Sequence, residues 1–158
     1  MKSIQEGRFT AQLDDSGAVV FLIGMRFNSL RRVDQWWPTA TAMPKILRHL
    51  ESQPEVGLLG WHQWLGRTTV LLSYWRSAED LQRFASDPGA PHASAWRAYQ
   101  RRVRKASVGI WHETYVVRPG QHEAIYVDMP KFGLAGATHS VPVGDGMRTA
   151  KQRLSHAP

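Results

Sequence analysis

An α+β fold, with an antiparallel sheet carrying helices on one face, is what this sequence predicts. Three stretches carry that prediction: Ala18 to Phe27 (AVVFLIGMRF), Val56 to Asp87 (VGLLGWHQWLGRTTVLLSYWRSAEDLQRFASD) and Ser107 to Val117 (SVGIWHETYVV). The first is apolar nearly throughout, as expected of a strand buried on both faces, and the last is a second strong strand. The middle one holds two strand-length runs and then changes to helical period.

Residues 1–16 are polar, and Asp14 to Gly17 (DDSG) reads as a turn before the first strong strand. After that strand, Asn28-Ser29 is expected to cap a helical stretch on which Leu30, Val33, Trp36 and Trp37 keep helical spacing. Pro38 should kink or restart the helix. Ala40 to Leu50 continue it, with Met43, Ile46, Leu47 and Leu50 on one side. Pro44 suits a first turn, so two helical pieces are expected before Ser52-Gln53-Pro54 ends them. Val56 to Leu65 and Thr68 to Trp75 then read as a hairpin across the two-residue connection Gly66-Arg67. Ser77 is a natural N-cap, Glu79 and Asp80 lie in the first turn, and Leu81, Phe84 and Ala85 follow at helical spacing. Asp87-Pro88-Gly89-Ala90-Pro91 stops that helix, and His92 to Lys105 starts another. Ser107 to Val117 forms a strand that Arg118-Pro119-Gly120 turns. Gln121 to Met129 reads as a fifth, edge-like strand ending at Pro130. Lys131 to Gly146 is rich in glycine and lacks periodicity, which suggests a long ordered loop or arm, and residues 147–158 are expected to fray.

The order is therefore β-α-β-β-α-β, the ferredoxin-like arrangement of an antiparallel sheet. Residues 1–130 are expected to form this domain and 131–158 the loop or arm with a C-terminal tail. On the second strand, Leu58, Gly60, His62 and Trp64 should point one way, and Leu59, Trp61 and Leu65 the other. Neither set is polar. A second copy of the sheet is the simplest cover for the face the helices leave open, so a homodimer is expected. Removal of residues 131–158 should weaken it.

With 158 residues, one domain is the default, and it is large enough to bury a core. The chain has no cysteine, which rules out disulfides, thiolate metal sites and a cysteine nucleophile. No signal-like segment and no apolar run near ~20 residues is read, so a cytoplasmic protein without a membrane partner is expected. The net charge of +7 invites a nucleic-acid reading. Yet the basic residues of Arg97 to Lys105, of Arg31-Arg32 and of Arg148 to Arg153 read better as solvated surface, and no zinc-finger or RNP-like motif accompanies them. The histidines show no HxH or HExxH spacing, and there is no phosphate loop, GxSxG elbow or dinucleotide fingerprint.

The pattern YWRSAEDLQRFASD, with Trp75, Ser77, Glu79, Asp80 and Leu81, followed by a histidine near the start of the next helix, resembles the dimeric α/β barrel superfamily and its antibiotic-biosynthesis-type monooxygenases. Over AMPKILRHLESQPEVGLLG, SYWRSAEDLQRFA, HASAWRAY and GIWHETY, the chain is similar to a monooxygenase-like family of unknown function. The likeness runs over roughly residues 15 to 140. It implies a pocket between the sheet and its helices. The superfamily uses that pocket for cofactor-free oxygenation of polyphenols, for isomerisation and lactone chemistry, for haem breakdown or for aldoxime dehydration. Cofactor-free oxygenation needs a base, a dry cavity and donors for an enolate.

His92 is the first candidate, as a general base or, by resemblance to haem-degrading members, as an axial ligand. His112 and Glu113 sit mid-strand and face opposite sides, so they cannot share one pocket. His112 is the alternative haem ligand, and a carboxylate among aromatics could act as acid or base. Arg26 is a possible oxyanion or carboxylate donor, and Asn28 lies near where haem-degrading relatives place a polar distal residue. Seven tryptophans suggest a broad aromatic pocket for a planar ligand. Trp75 and Trp96 are expected in the core, and Trp36, Trp37, His62, Trp64, Tyr74 and Trp111 are candidates for binding substrate. The leading reading is a monooxygenase-like enzyme acting on an apolar or aromatic small molecule without organic cofactor or metal. The alternatives are a haem-dependent protein and a non-catalytic module that holds a hydrophobic ligand.

Overall fold

The computed structural model describes residues 3–102 and 106–155. The first half of the chain runs β1 (Ile4–Gln12), β2 (Ala18–Phe27), α1 (Val33–Ala40), α2 (Ala42–Glu51), β3 (Leu58–Trp64) and β4 (Val70–Trp75). The second half runs α3 (Ala78–Ser86), α4 (Pro91–Arg102), β5 (Val108–Val117), β6 (Tyr126–Pro130), α5 (Gly133–Ala137), β7 (His139–Pro142) and α6 (Ala150–Ser155). Four of the strands form an antiparallel sheet of order β3-β4-β2-β5, which is the ferredoxin-like order. The apolar β2 sits inside this sheet, paired with β4 on one side and β5 on the other. Its Val19 packs with Leu50, Trp75 and Leu81 under the helices, and its Ala18 and Val20 pack on the opposite face with Tyr74.

Asn28 and Ser29 do not cap α1. Both backbone N–H groups donate to Ser107 O (3.0 and 3.1 Å) and the Asn28 side chain donates to Ala106 O (2.8 Å), which ties the end of β2 to the start of β5. The helix starts at Val33 instead, and Thr41 separates it from α2. The two expected helical pieces are therefore present. Pro44 stands third in α2, where no intrahelical N–H bond is lost. Ser77 caps α3 by accepting the Asp80 N–H at 3.1 Å. The helix expected from His92 to Lys105 spans Pro91–Arg102, and its last expected residues lie outside the described ones.

The hairpin connection is longer than two residues. The last β3–β4 pair is Trp64 with Val70, because residues 67–69 turn towards β2. Arg67 O accepts from Phe27 N–H (2.9 Å), Thr69 N–H donates to Met25 O (2.8 Å), and Arg26 donates to Thr68 Oγ1 (2.8 Å). A register shift between Leu58 and Gly60 also breaks the expected alternation. Leu58 packs under the helices with Trp75, whereas Gly60, His62 and Trp64 face the other side, and Leu59 is the extra residue of the bulge.

A second sheet of order β6-β1-β7 was not legible in the sequence. The polar N-terminal segment is a strand held on both edges, Ile4 by Pro130 and Gln12 by His139 among the pairs. The expected fifth strand is shorter, as β6, and belongs here rather than to the main sheet. The glycine-rich Lys131 to Gly146 contains α5 and β7. Leu134 and Ala135 of α5, with Ala11 and Leu13, cover Ala18, Tyr74, Val20 and Leu72 on the helix-free face of the main sheet. This part of the chain therefore closes over its own sheet. The tail expected to fray holds α6, whose buried Arg153 pairs with Glu123 and donates to Met147 O (3.0 Å) and Arg148 O (3.2 Å).

The start of α3 rests on a buried carboxylate. Asp80 accepts from Arg76 Nε (2.7 Å) and Arg83 (2.9 Å), and Arg76 also donates to Glu55 O (3.2 Å). Gly57, at φ +97°, leaves the space: a Cβ there would stand 2.5 Å from Asp80 Oδ2. The hydrogen bond from Arg76, ahead of the Coulomb attraction of the two arginines, holds the Asp80 carboxyl below its ordinary value although burial pushes the other way. Its folded value is thus below its unfolded one, so this stability is complete above pH ~4 and is lost as acid protonates the folded carboxylate. We expect Asp80→Asn to lower the unfolding free energy at pH 7 by about 1–2 kcal/mol, since the arginine ends are solvent-screened. Urea titrations should show the gap closing as pH falls below about 4.

Candidate functional site

Packing the helices on the sheet leaves a cavity of about 810 Å³ between the two. Its floor comes from alternate residues of three strands: Phe21 and Ile23 of β2, Leu71, Ser73 and Trp75 of β4, and Ile110, His112 and Thr114 of β5. Met43, Ile46, Leu47 and Leu50 of α2, Leu81 and Phe84 of α3, and His92, Trp96 and Tyr99 of α4 close it from above. The side chains are mostly aliphatic and aromatic. Asp87, His92, Arg97, Tyr99 and His112 are the wall's ionisable groups. A cavity of this size suits a small organic molecule.

His92 is fixed in one tautomer by its surroundings. Its Nε2 lies 3.0 Å from Ala85 O, and a carbonyl oxygen can only accept, so Nε2 carries the hydrogen. The lone pair of the neutral ring is then on Nδ1. That atom is buried and has no hydrogen-bond partner. The ring also stacks against Phe84, with centroids 4.5 Å apart. The α3–α4 connection Asp87-Pro88-Gly89-Ala90-Pro91 makes this possible, because it ends α3 and starts α4 close enough for His92 to reach back to Ala85. Thr39 Oγ1 is a second buried wall atom without a partner. Nothing in the sequence marked Thr39, whose place in the wall follows from how α1 packs.

His92 and His112 are the two predicted site residues that the cavity brings together. His112 lies on the floor beside Phe21, with ring centroids 5.9 Å apart. As an axial haem ligand, His92 would keep its Nε2 bond to Ala85 O and coordinate through Nδ1, an atom that is buried in this arrangement. Glu113 is on the other face of β5, where its carboxylate accepts from Tyr115 Oη at 2.7 Å. Arg26 is held by Thr68, and Asn28 by Ala106 O. Trp36 packs edge-on to Phe27, with centroids 5.0 Å apart, and Trp37 is exposed. Trp75 and Trp96 are the tryptophans of the cavity wall.

The remaining candidates meet on the opposite face of the sheet. His62 stacks on Phe132 (4.1 Å between centroids) and its Nε2 accepts the Gly133 N–H at 3.0 Å. Trp64 packs edge-on to the same Phe132. The indole Nε1 of Trp111 is buried over Gly24 and has no partner. Tyr74 and Tyr126 converge on Gly133, where a Cβ would lie 3.4 and 2.9 Å from their hydroxyls. Burial, with Tyr126 as a lesser cause, pushes the Tyr74 phenol up to about 12. Among the described residues, no group of three or more histidine or carboxylate side chains could hold a metal ion.

Comparison with known proteins places these observations in a family. The model of the family described as Monooxygenase af470-like matches residues 18–134, which include every residue of the cavity wall. Monooxygenase af470 of Aspergillus fumigatus is 26% identical over 153 residues, covering 81% of this chain and 53% of the relative. The chain thus spans about half the length of the curated relative it matches. Among solved structures, an aldoxime dehydratase (OxdRE) in complex with butyraldoxime is similar at a TM-score of 0.50 and 15% identity, covering 97% of this chain and 44% of that one. SnoaB of Streptomyces nogalater, described as a cofactor-independent oxygenase, is similar at a TM-score of 0.46 and 18% identity, covering 65% of this chain and 94% of that one. At 15% identity the likeness to the aldoxime dehydratase speaks to fold alone.

The raised value of Tyr74 makes alkaline stability a test of this packing. The fold favours the neutral phenol, so the contribution is complete below pH ~10 and is lost as pH rises through the folded value of about 12. We expect the native chain to lose stability relative to Tyr74→Phe across that interval, as read by urea unfolding at successive pH values.

Proposed function

Because the chain belongs to the Monooxygenase af470-like family, we propose that it is a monooxygenase-like oxidoreductase acting on an apolar or aromatic small molecule without a bound organic cofactor. The observation that carries this reading is the His92 imidazole: a base of fixed tautomer, unpartnered at Nδ1, in the wall of a large apolar cavity. In this reading the substrate, as it seats, displaces the side chains that cover Nδ1, and an acidic C–H of the substrate passes its proton to that atom while Nε2 keeps its bond to the Ala85 carbonyl. The electron pair stays on the substrate carbon and adds to dioxygen, the peroxide anion takes the proton back from Nδ1, and the hydroperoxide then loses water, with the second hydrogen of the same carbon, to leave a carbonyl. The apolar wall keeps bulk water from quenching the carbanion. His112, on the floor, is a further polar group of the wall. Among the described residues Arg97 is the wall's single guanidinium, a poor match for the two phosphates of a dinucleotide cofactor.

A homodimer is part of the same proposal. The chain's own second sheet leaves the β5 edge of the helix-free face uncovered, where Tyr115 is 53% exposed. A second copy seated there would bury it.

Oxygen uptake by purified protein, with a panel of anthrone- and hydroquinone-type compounds and no added cofactor, tests the chemistry. We expect His92→Ala to lower turnover at least ~100-fold while ligand binding is retained. Unchanged turnover in that variant would remove His92 as the base. Titration with haemin should give no saturable Soret band that depends on His92 or His112. A band lost in either variant would replace the cofactor-free reading with a haem-dependent one.

A further inference from the structure

We propose that the exposed face of α1, together with the side of α4 at the cavity rim, docks on an anionic lipid bilayer. Val33 and Trp37 stand one turn apart on α1 and are 50% and 58% exposed, on the side opposite the buried Gln35. Leu30, just before the helix, is 59% exposed. Trp96 of α4, which packs beside α1, is 47% exposed. Large apolar groups held in water on two neighbouring helices mark an interaction surface.

The charge around them chooses the partner. Residues 28–51 and 91–102 carry seven arginines and lysines against two carboxylates, whereas the whole chain carries 20 against 13. Those two carboxylates are engaged: Asp34 with Arg32 at 3.0 Å, and Glu51 with the Trp61 indole at 3.0 Å. Arg97 and Arg101 are exposed one turn apart on α4. Tryptophan and aliphatic side chains ringed by arginine match the headgroup boundary of a bilayer, where the rings and aliphatics enter and the guanidinium groups meet anionic lipid. A nucleic acid would use the arginines but leave Leu30 and Val33 in water. Among the described residues no helix is long and apolar enough to cross a membrane, so the attachment is peripheral. Trp96 and Arg97 belong both to this face and to the cavity wall. The docked molecule would therefore present its cavity to the lipid, and the docking holds whatever reaction the cavity performs.

Flotation of the full chain with phosphatidylcholine vesicles, with and without about 30% phosphatidylserine, tests this directly. We expect retention on the anionic vesicles at low salt and release as salt screens the arginines. Trp37→Ala and Trp96→Ala should each lower the bound fraction, and Arg101→Ala should weaken binding about fivefold. Leu65→Ala, at a residue 81% exposed in the β3–β4 connection, should change nothing. Should Trp96→Ala fail to fold, Trp37→Ser carries the same readout outside the cavity wall. Absence of flotation, equal flotation of the α1 and α4 variants, or Arg101-dependent binding to duplex DNA without flotation would each overturn the proposal.

Discussion

A strand that is apolar on both faces has to be covered twice, and β2 imposes that constraint on everything around it. On one side its Val19 joins Leu50, Trp75 and Leu81 beneath the helices. On the other its Ala18 and Val20 meet Tyr74, Leu134 and Ala135. The two covers differ in kind. The helical layer stands off the sheet and leaves a large cavity, while the second sheet and α5 pack closely, with Ala137 only 3.5 Å from where a Gly60 Cβ would sit. Burial of apolar surface supplies the stability on both sides, and the looser side is the one that holds the candidate chemistry.

Local signals were legible where one residue sets one geometry. Ser77 before Glu79 and Asp80 announces a capped helix, and the cap forms. Pro44 announces a second helical piece, and Thr41 divides the two, whereas Pro38, expected to kink or restart the helix, lies inside α1. Signals failed where the deciding partner lies far along the chain. The polar β1 looks like no strand until β6 and β7 flank it. The hairpin widens because Arg67 and Thr69 bond to β2, which no two-residue turn rule contains. The shift at Leu59 reverses which residues share a face with Leu58, since one inserted residue inverts alternation. For the site, the His92 stretch was visible as a histidine at a helix start, but its tautomer needed the Ala85 carbonyl. Thr39 had no signal at all.

The arrangement at His92 has a general physical logic. A neutral imidazole has one donor and one acceptor, and a fixed carbonyl at one nitrogen decides where the other's lone pair lies. A backbone oxygen, unlike a carboxylate, does this without adding a charge to an apolar wall, so the cavity stays hospitable to a neutral ligand.

The topology also has a consequence for biosynthesis. β1 pairs Ile4 with Pro130 and Gln12 with His139, so its partners emerge from the ribosome only after the whole main sheet has been made. Through that interval the helix-free face, with Tyr74, Leu72 and Val20, lacks its cover. Closing so long a loop is slow, and an apolar sheet face left open meanwhile favours association with other nascent chains. A chaperone that shields this face during translation would therefore raise the yield of the folded chain more than one acting after release.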